Sequence, residues 1–243
     1  MHRFFISPDY IAPEDVVFPP EQAHQIRVVL RMLVGNKVLV LDNAGMMYKV
    51  VLTAVTRENV IGKIESHQLA IGEPTIELTL YQSFLKRDKF ELVLQKCTEL
   101  GVSRFVPIVT KRTLVQSTEM KENKRKRWAT ILAEAAEQSQ RGKIPKLETA
   151  VNFKTMLNQL PRYDAVLMMW EGDGCVSLKT AVAERAEIQN VAVLIGPEGG
   201  WTEQEVELAK AQNAQIITLG PRILRTETAA IVASALVLSE LEN

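Results

Sequence analysis

Apolar and polar positions along the first 70 residues follow the short period of strands. "KVLVLD" (37–42) and "YKVVLTAV" (48–55) flank "NAGM", a short loop with Gly45, and predict a hairpin. "RENV" (57–60) predicts a second turn before "VIGKIES". One stretch has helical spacing instead, "EQAHQIRVVLRML", with Ile26, Val29, Leu30 and Leu33 on one side. The pattern predicts a small β barrel or sandwich. Gly72 and Pro74 in "LAIGEP" punctuate its end, which sets expected domains at 1–72 and 73–243.

Beyond that point the period changes. "TIELTLYQS" reads as a strand, and "DKFELVLQKCTELG" as a helix with Phe90, Val93, Leu94, Cys97 and Leu100 as its apolar stripe. Asp88 is placed to cap that helix and Gly101 to end it. "RFVPIVT" predicts the next strand. "RKRWATILAEAAEQSQ" predicts a helix with Trp128, Ile131, Leu132, Ala135 and Ala136 inward. "YDAVLMMW", "VAVLIG" and "QIITLG" are continuous apolar runs, as expected of strands covered on both faces. Strands alternating with helices predict a mostly parallel α/β sheet.

Two strand–loop–helix units close the chain. "VAVLI" leads to Gly196-Pro197-Glu198-Gly199-Gly200, and Thr202 with Glu205 forms the T-x-x-E capping box of the following helix. "QIITL" leads to Gly220-Pro221-Arg222-Ile223-Leu224-Arg225, and a helix follows from about Thr226. Both loops stand at carboxyl ends of strands, where open α/β sheets bind ligands. Neither is a phosphate-binding loop of the Walker type, and Glu198 would repel a triphosphate. A neutral or cationic ligand rich in ring nitrogens and hydroxyls fits better, with glycine allowing close backbone approach. S-adenosylmethionine meets that description, while tight turns with no ligand also account for the glycines.

Composition adds the partners. An apolar content of 47% suits a packed core. The longest apolar run, 229–238, is about half of the ~20 residues that span a bilayer. "MHRFFISPDY" has no apolar signal core, and Cys97 and Cys175 lack metal-ligand spacing. The expectations are a cytoplasmic protein with reduced thiols, no membrane span and no metal. Net charge is zero, yet residues 86–146 carry 15 Lys and Arg against 7 Asp and Glu. A local basic patch of this kind attracts a polyanion. "KENKRKRW" (121–128) holds five cations in seven residues, Lys124, Arg125 and Arg127 among them, at a helix start where the macrodipole disfavours them. Lys86, Arg87 and Lys89 form a second cluster, and Arg141 with Lys143 a third. Arg27 and Arg31, four apart, are expected on one helix face, with His24 nearby. These cations are the expected RNA contacts; a solvated helix face is the bland alternative.

The tail "LIGPEGGWTEQE…ITLGPRILRTETA" closely resembles the SPOUT-class RNA methyltransferases, specifically the RsmE type. "KRDKFELVLQKCTELGV" (86–102) and "RWATILAEAAEQSQR" (127–141) resemble that family's two characteristic helices. "HQIRVVLRMLVGNKVLVLDNAG" (24–45) resembles its N-terminal PUA-like RNA-binding domain. Arg87 stands where the family often has glycine. The resemblance implies a C-terminal knotted α/β domain with a trefoil knot as the cofactor pocket, a PUA-like β barrel before it, and a homodimer. It implies methylation of N3 of a uridine in small-subunit ribosomal RNA with S-adenosylmethionine. It places Gly196, Gly199, Leu219, Gly220, Ile223 and Leu224 on the adenosine pocket, with Leu194, Glu198, Gly200 and Arg225 in the cofactor-binding set.

Methyl transfer to N3 requires an unpaired or flipped base that loses its N3 proton, with negative charge spreading to the uracil oxygens. Arg225 is the expected stabiliser of that anion. Glu227 is open between accepting the proton, orienting Arg225 and simply favouring a helix N-terminus. The alternatives in function are a SPOUT ribose 2′-O-methyltransferase and a catalytically silent RNA-binding protein.

Overall fold

The computed structural model describes residues 1–86, 88–182 and 188–242. The chain divides into two compact units, Met1–Glu73 with Ala136–Ile144, and Pro74–Ala135 with Pro145–Asn243.

The first unit is built on a five-stranded sheet. Its elements are β1 (Arg3–Phe5), β2 (Asp15–Val17), α1 (Pro20–His24), β3 (Lys37–Leu41), β4 (Met46–Val55) and β5 (Val60–Leu69), and the strand order is β1-β3-β4-β5-β2. β3 and β4 form the expected antiparallel hairpin. Its turn needs left-handed backbone, which Asn43 (φ 60°) and Gly45 (φ 108°) supply. Alternate residues of the strands point inward, so Phe4, Val16, Val38, Val40, Val50 and Leu52 make the core with Ile26.

The helix expected over residues 21–33 stops early. α1 gives way to one π turn, Gln25–Val29, closed by the Leu30 N–H donating to Gln25 O at 2.8 Å, and Arg31 then adopts φ 51°. Ile26 is buried, but Val29 and Leu33 are exposed, so the proposed apolar stripe does not exist. Arg31 lies outside any helix, and the shared face with Arg27 is lost. The wider turn shifts every later side chain around the axis, which a 3.6-residue count cannot anticipate.

Residues 136–144, read from sequence as part of the second domain, belong to the first unit. Several contacts hold them there: Ala136 packs with Phe5, Leu41 and Met47, the Phe5 N–H donates to Glu137 Oε1 (3.3 Å), the Ile144 N–H donates to Asn43 Oδ1 (2.7 Å), and one carboxylate gathers 141–143. Glu73 Oε1 accepts from Arg141 Nε (3.2 Å) and from the N–H groups of Gly142 (2.9 Å) and Lys143 (3.1 Å), and Oε2 accepts from Arg141 Nη2 (2.8 Å).

The second unit contains β6 (Glu77–Ser83), α2 (Lys89–Leu100), β7 (Arg104–Val109), α3 (Glu122–Gln138, whose last three residues belong to the first unit), β8 (Lys146–Leu147), β9 (Val151–Asn152), α4 (Phe153–Gln159), β10 (Ala165–Met169), β11 (Val176–Ser177), α5 (Leu178–Val182), β12 (Asn190–Ile195), α6 (Glu203–Lys210), β13 (Gln215–Thr218) and α7 (Thr226–Leu241). Its sheet runs β11-β13-β10-β12-β6-β7-β8, with β9 also on β7, and every pairing is parallel. The architecture is α/β. The three apolar runs read from sequence are β10, β12 and β13, and they lie side by side with Leu167, Val193 and Ile217 fully buried.

Two local expectations need adjustment. Asp88 occupies the N-cap position of α2 but makes no side-chain cap bond, because its ψ of 2° is not the extended value that aims a cap. Leu100 is half-exposed while the rest of the α2 stripe is buried. Gly101 does end α2 in left-handed backbone, at φ 117°.

Candidate active site

A cavity of about 510 Å³ opens at the carboxyl ends of β12, β13 and β10. Three loops build its wall. The first, after β12, depends on Gly200 at φ 68° to turn into the α6 cap, where Thr202 Oγ1 accepts from the Glu205 N–H and Glu205 Oε2 accepts from the Thr202 N–H. This is the capping box expected from sequence. The second loop, after β13, turns at Gly220 (φ 107°), whose N–H donates to Thr218 Oγ1 at 3.2 Å. The third starts from Met169, the last residue of β10, continues through Trp170 and Glu171, and lines the same cavity.

The loops are tied to one another. Trp201 is buried and its Nε1 donates to Met169 O at 3.1 Å, joining the first loop to the third. Thr226 Oγ1 donates to Gly196 O at 2.6 Å, joining the start of α7 to the first loop. The Lys86 N–H donates to Glu198 Oε1 at 3.0 Å, so that carboxylate is held by the loop after β6. Apolar wall comes from Trp170, Ile195, Ile217, Leu219, Ile223 and Leu224, and three carboxylates, Glu171, Glu198 and Glu227, face the same space.

Glu227 is buried in the first turn of α7 and pairs with Lys89 of α2 at 3.1 Å (Oε1) and 3.2 Å (Oε2). Burial pushes its carboxyl up, but its own backbone N–H, the bond and charge of Lys89 and the charge of Arg225 outweigh that and pull it below the usual carboxylate range. Glu227 is therefore ionised at neutral pH. Arg225, the residue just before α7, and Arg222 line the mouth.

Of the residues expected to bind the cofactor, Gly196, Glu198, Gly200, Leu219, Gly220, Ile223, Leu224 and Arg225 all line the cavity. Leu194 does not: it is fully buried in the core of the sheet, one residue short of the strand end. Gly199 does not line it either, and its carbonyl faces Arg112. Arg225 and Glu227, the expected catalytic pair, both face the cavity. Trp170 and Glu171 were missed, although the rule that ligands sit at carboxyl ends of strands applies to "YDAVLMMW" as well as to the two glycine loops.

The expected RNA contacts separate into groups. Lys89 belongs to the cavity through Glu227. Lys124 lies over the rings of Phe84 (5.2 Å) and Trp128 (4.6 Å), and burial lowers its ammonium from the ordinary value, against the charge of Glu91. Arg127 donates to Glu91 Oε2 at 2.5 Å but is 64% exposed, and Lys86 and Arg125 are exposed. Arg141 is 2% exposed and bound to Glu73, so it is a structural cation rather than a surface contact. Arg27 is half-buried and donates to the carbonyls of Thr56 (2.8 Å) and Arg57 (2.7 Å), while Arg31 is exposed. Arg87 lies outside the described residues. No cluster of three or more His, Cys, Asp or Glu able to hold a metal exists among the described residues. No helix among them is long and apolar enough to cross a membrane.

Residues 72–238 match the family model for an RNA methyltransferase domain, a span that includes every wall of this cavity. The chain belongs to the RNA methyltransferase family. Within it, the ribosomal RNA small subunit methyltransferase E of Bacillus subtilis (strain 168) is 33% identical, over 100% of this chain and 98% of its own. The one from Synechocystis is 30% identical, over 100% of this chain and 78% of its own. A crystal structure of ribosomal RNA small subunit methyltransferase E from Neisseria gonorrhoeae bound to S-adenosyl methionine is also similar. Its TM-score is 0.87 at 29% identity, and the match covers 98% of this chain and 97% of that one.

Proposed function

We propose that the protein methylates N3 of a uridine in small-subunit ribosomal RNA, with S-adenosylmethionine as methyl donor. The observation that carries the reading is the cavity itself: glycine loops with apolar walls and three carboxylates, in a chain of this family. The chemistry of the donor set fits that cofactor. Flat apolar wall suits adenine, backbone groups of the loops suit its ring edges, and Glu171 and Glu198 suit a cationic amino-acid end. A phosphate about 4 Å from either carboxylate would be repelled by about 1 kcal/mol in water and about 4 kcal/mol near a protein surface, and a cation attracted by as much.

The donor, held by the three loops, would supply an electrophilic methyl carbon on sulfonium sulfur, with the thioether as the leaving group when N3 attacks in line. The remaining work falls to the chain. Arg225 at the cavity mouth stabilises the uracil oxygens as N3 gives its proton to solvent water. Glu227, held ionised by Lys89, is a weak base at neutral pH. Its role is to fix Lys89 and hold Arg225 in a negative field rather than to store the proton. The loops keep the reacting atoms in a row, and positioning of this kind supplies much of such a rate enhancement.

Further readings belong to the same proposal. The route from β13 through the second loop to α7, which packs on α2, α5, β6 and β12, supports a trefoil knot. Arg31 and His24 on the exposed surface of the five-stranded first unit support a PUA-like RNA-binding domain. Exposed Leu236 on α7 with Leu92 and Leu100 on α2 support a homodimer. A cytoplasmic location follows from a ribosomal substrate.

The test is methylation of small ribosomal subunits and of naked ribosomal RNA with labelled donor, followed by nucleoside analysis. Label in 3-methyluridine is expected. Label in 2′-O-methylated nucleosides, or none in RNA, contradicts the proposal.

A further inference from the structure

The first loop is gripped by a side chain that lines no part of the cavity. Arg112 follows β7 in a turn anchored on both flanks. On one flank the Lys111 N–H donates to Glu205 Oε1 at 2.9 Å, the same carboxylate whose Oε2 caps Thr202. On the other, buried Thr113 accepts from the Thr110 N–H at 2.9 Å and shares a 2.8 Å hydroxyl bond with Thr110. From this fixed base the guanidinium reaches the loop, and Nη1 donates to Gly199 O (2.8 Å) and Trp201 O (3.2 Å). The donors are charged, which makes such bonds stronger than neutral ones.

The contact also explains a glycine. Gly199 is not among the positive-φ residues, so its backbone does not demand glycine. Space is the tighter constraint: a Cβ at 199 would stand 3.2 Å from Arg112 Cβ, closer than most such contacts, so the arginine would have to give by a few tenths of an ångström.

We propose that Arg112 is a positioning residue for the methyl donor. It clamps the first loop in its binding shape from behind, and Gly199 is glycine to admit the arginine rather than to admit the ligand. This rests on reading the cavity as the S-adenosylmethionine site. A lysine keeps the charge but lacks the planar fork, so it restores the clamp only in part.

The test uses the full chain with Arg112→Ala, Arg112→Gly, Arg112→Lys, Gly199→Ala and the double variant Arg112→Gly with Gly199→Ala. Donor affinity is measured by calorimetry, kcat and KM by methyl transfer to subunits, and amide exchange at 199–201 in cofactor-free protein. Each alanine variant is expected to weaken donor binding roughly ten-fold and to raise its KM while kcat at saturation stays near wild type. Arg112→Lys falls between. The double variant is expected to be no worse than Arg112→Gly alone, since glycine at 112 removes the Cβ that alanine at 199 would press. Exchange at 199–201 rises in Arg112→Ala. Full additivity in the double variant overturns the proposal by placing Gly199 against the ligand, as does a loss of thermal stability with affinity and exchange unchanged. If wild-type protein binds no donor, the cofactor reading fails, and exchange at 199–201 alone decides the clamp.

Discussion

At position 227 a carboxylate serves as a fixed negative charge. Its folded-state pKa is depressed, so the stability that it contributes is present above the ordinary carboxylate range and is lost as pH falls through it. Glu227→Gln is therefore expected to lower the urea midpoint at pH 7 and to lose less than wild type between pH 7 and pH 4. Parallel losses would contradict an ionised Glu227. In the proposed mechanism Arg225 acts on the reacting base rather than on the donor. Arg225→Ala is expected to cut kcat about 10²–10³-fold while S-adenosylmethionine affinity, read by calorimetry, stays within about three-fold. A matching loss of affinity would reassign Arg225 to the pocket wall. Arg225 and Glu227 were legible as candidates because they follow a strand–glycine loop in sequence. Lys89 as partner of Glu227 was not, because 138 residues separate the two and only the fold closes that distance.

Elements were legible where their signals are local. The T-x-x-E spacing of Thr202 and Glu205 encodes a bond between residues three apart, and the box forms as read. Thr202→Ala is expected to cost about 1 kcal/mol in denaturant unfolding, since it strips the α6 cap. A change near zero would show that Glu205 caps α6 without it. Gly101 was likewise readable as a helix stop. The π turn at Gln25–Val29 was not, because nothing in the run of apolar and polar positions marks one extra residue per turn. Leu194 was placed in the cofactor set by motif position, yet one residue decides between strand core and strand end. Arg112 left no trace in sequence, because its partners lie 87 and 89 residues away and are backbone carbonyls.

For the whole molecule, alternation of strands and helices was enough to read an α/β sheet, and the basic middle segment was readable as charge. What charge counting could not separate is a cation facing solvent from one enclosed by the fold. Arg141 stands in the same basic segment as Arg125, yet it holds Glu73 inside the first unit. Glu73→Gln is expected to destabilise the protein by about 3 kcal/mol, because a buried cation loses its counter-charge. An unchanged urea midpoint would show that other groups suffice for Arg141. The central claim is that three loops at neighbouring strand ends hold a methyl donor. Its most direct test is a crystal structure of the protein with S-adenosylmethionine. The account predicts adenine against Ile217, Leu219 and Leu224, with the sulfonium end toward Glu171 or Glu198. The donor bound elsewhere, or nucleotide phosphates seated on the two glycine loops, would contradict it.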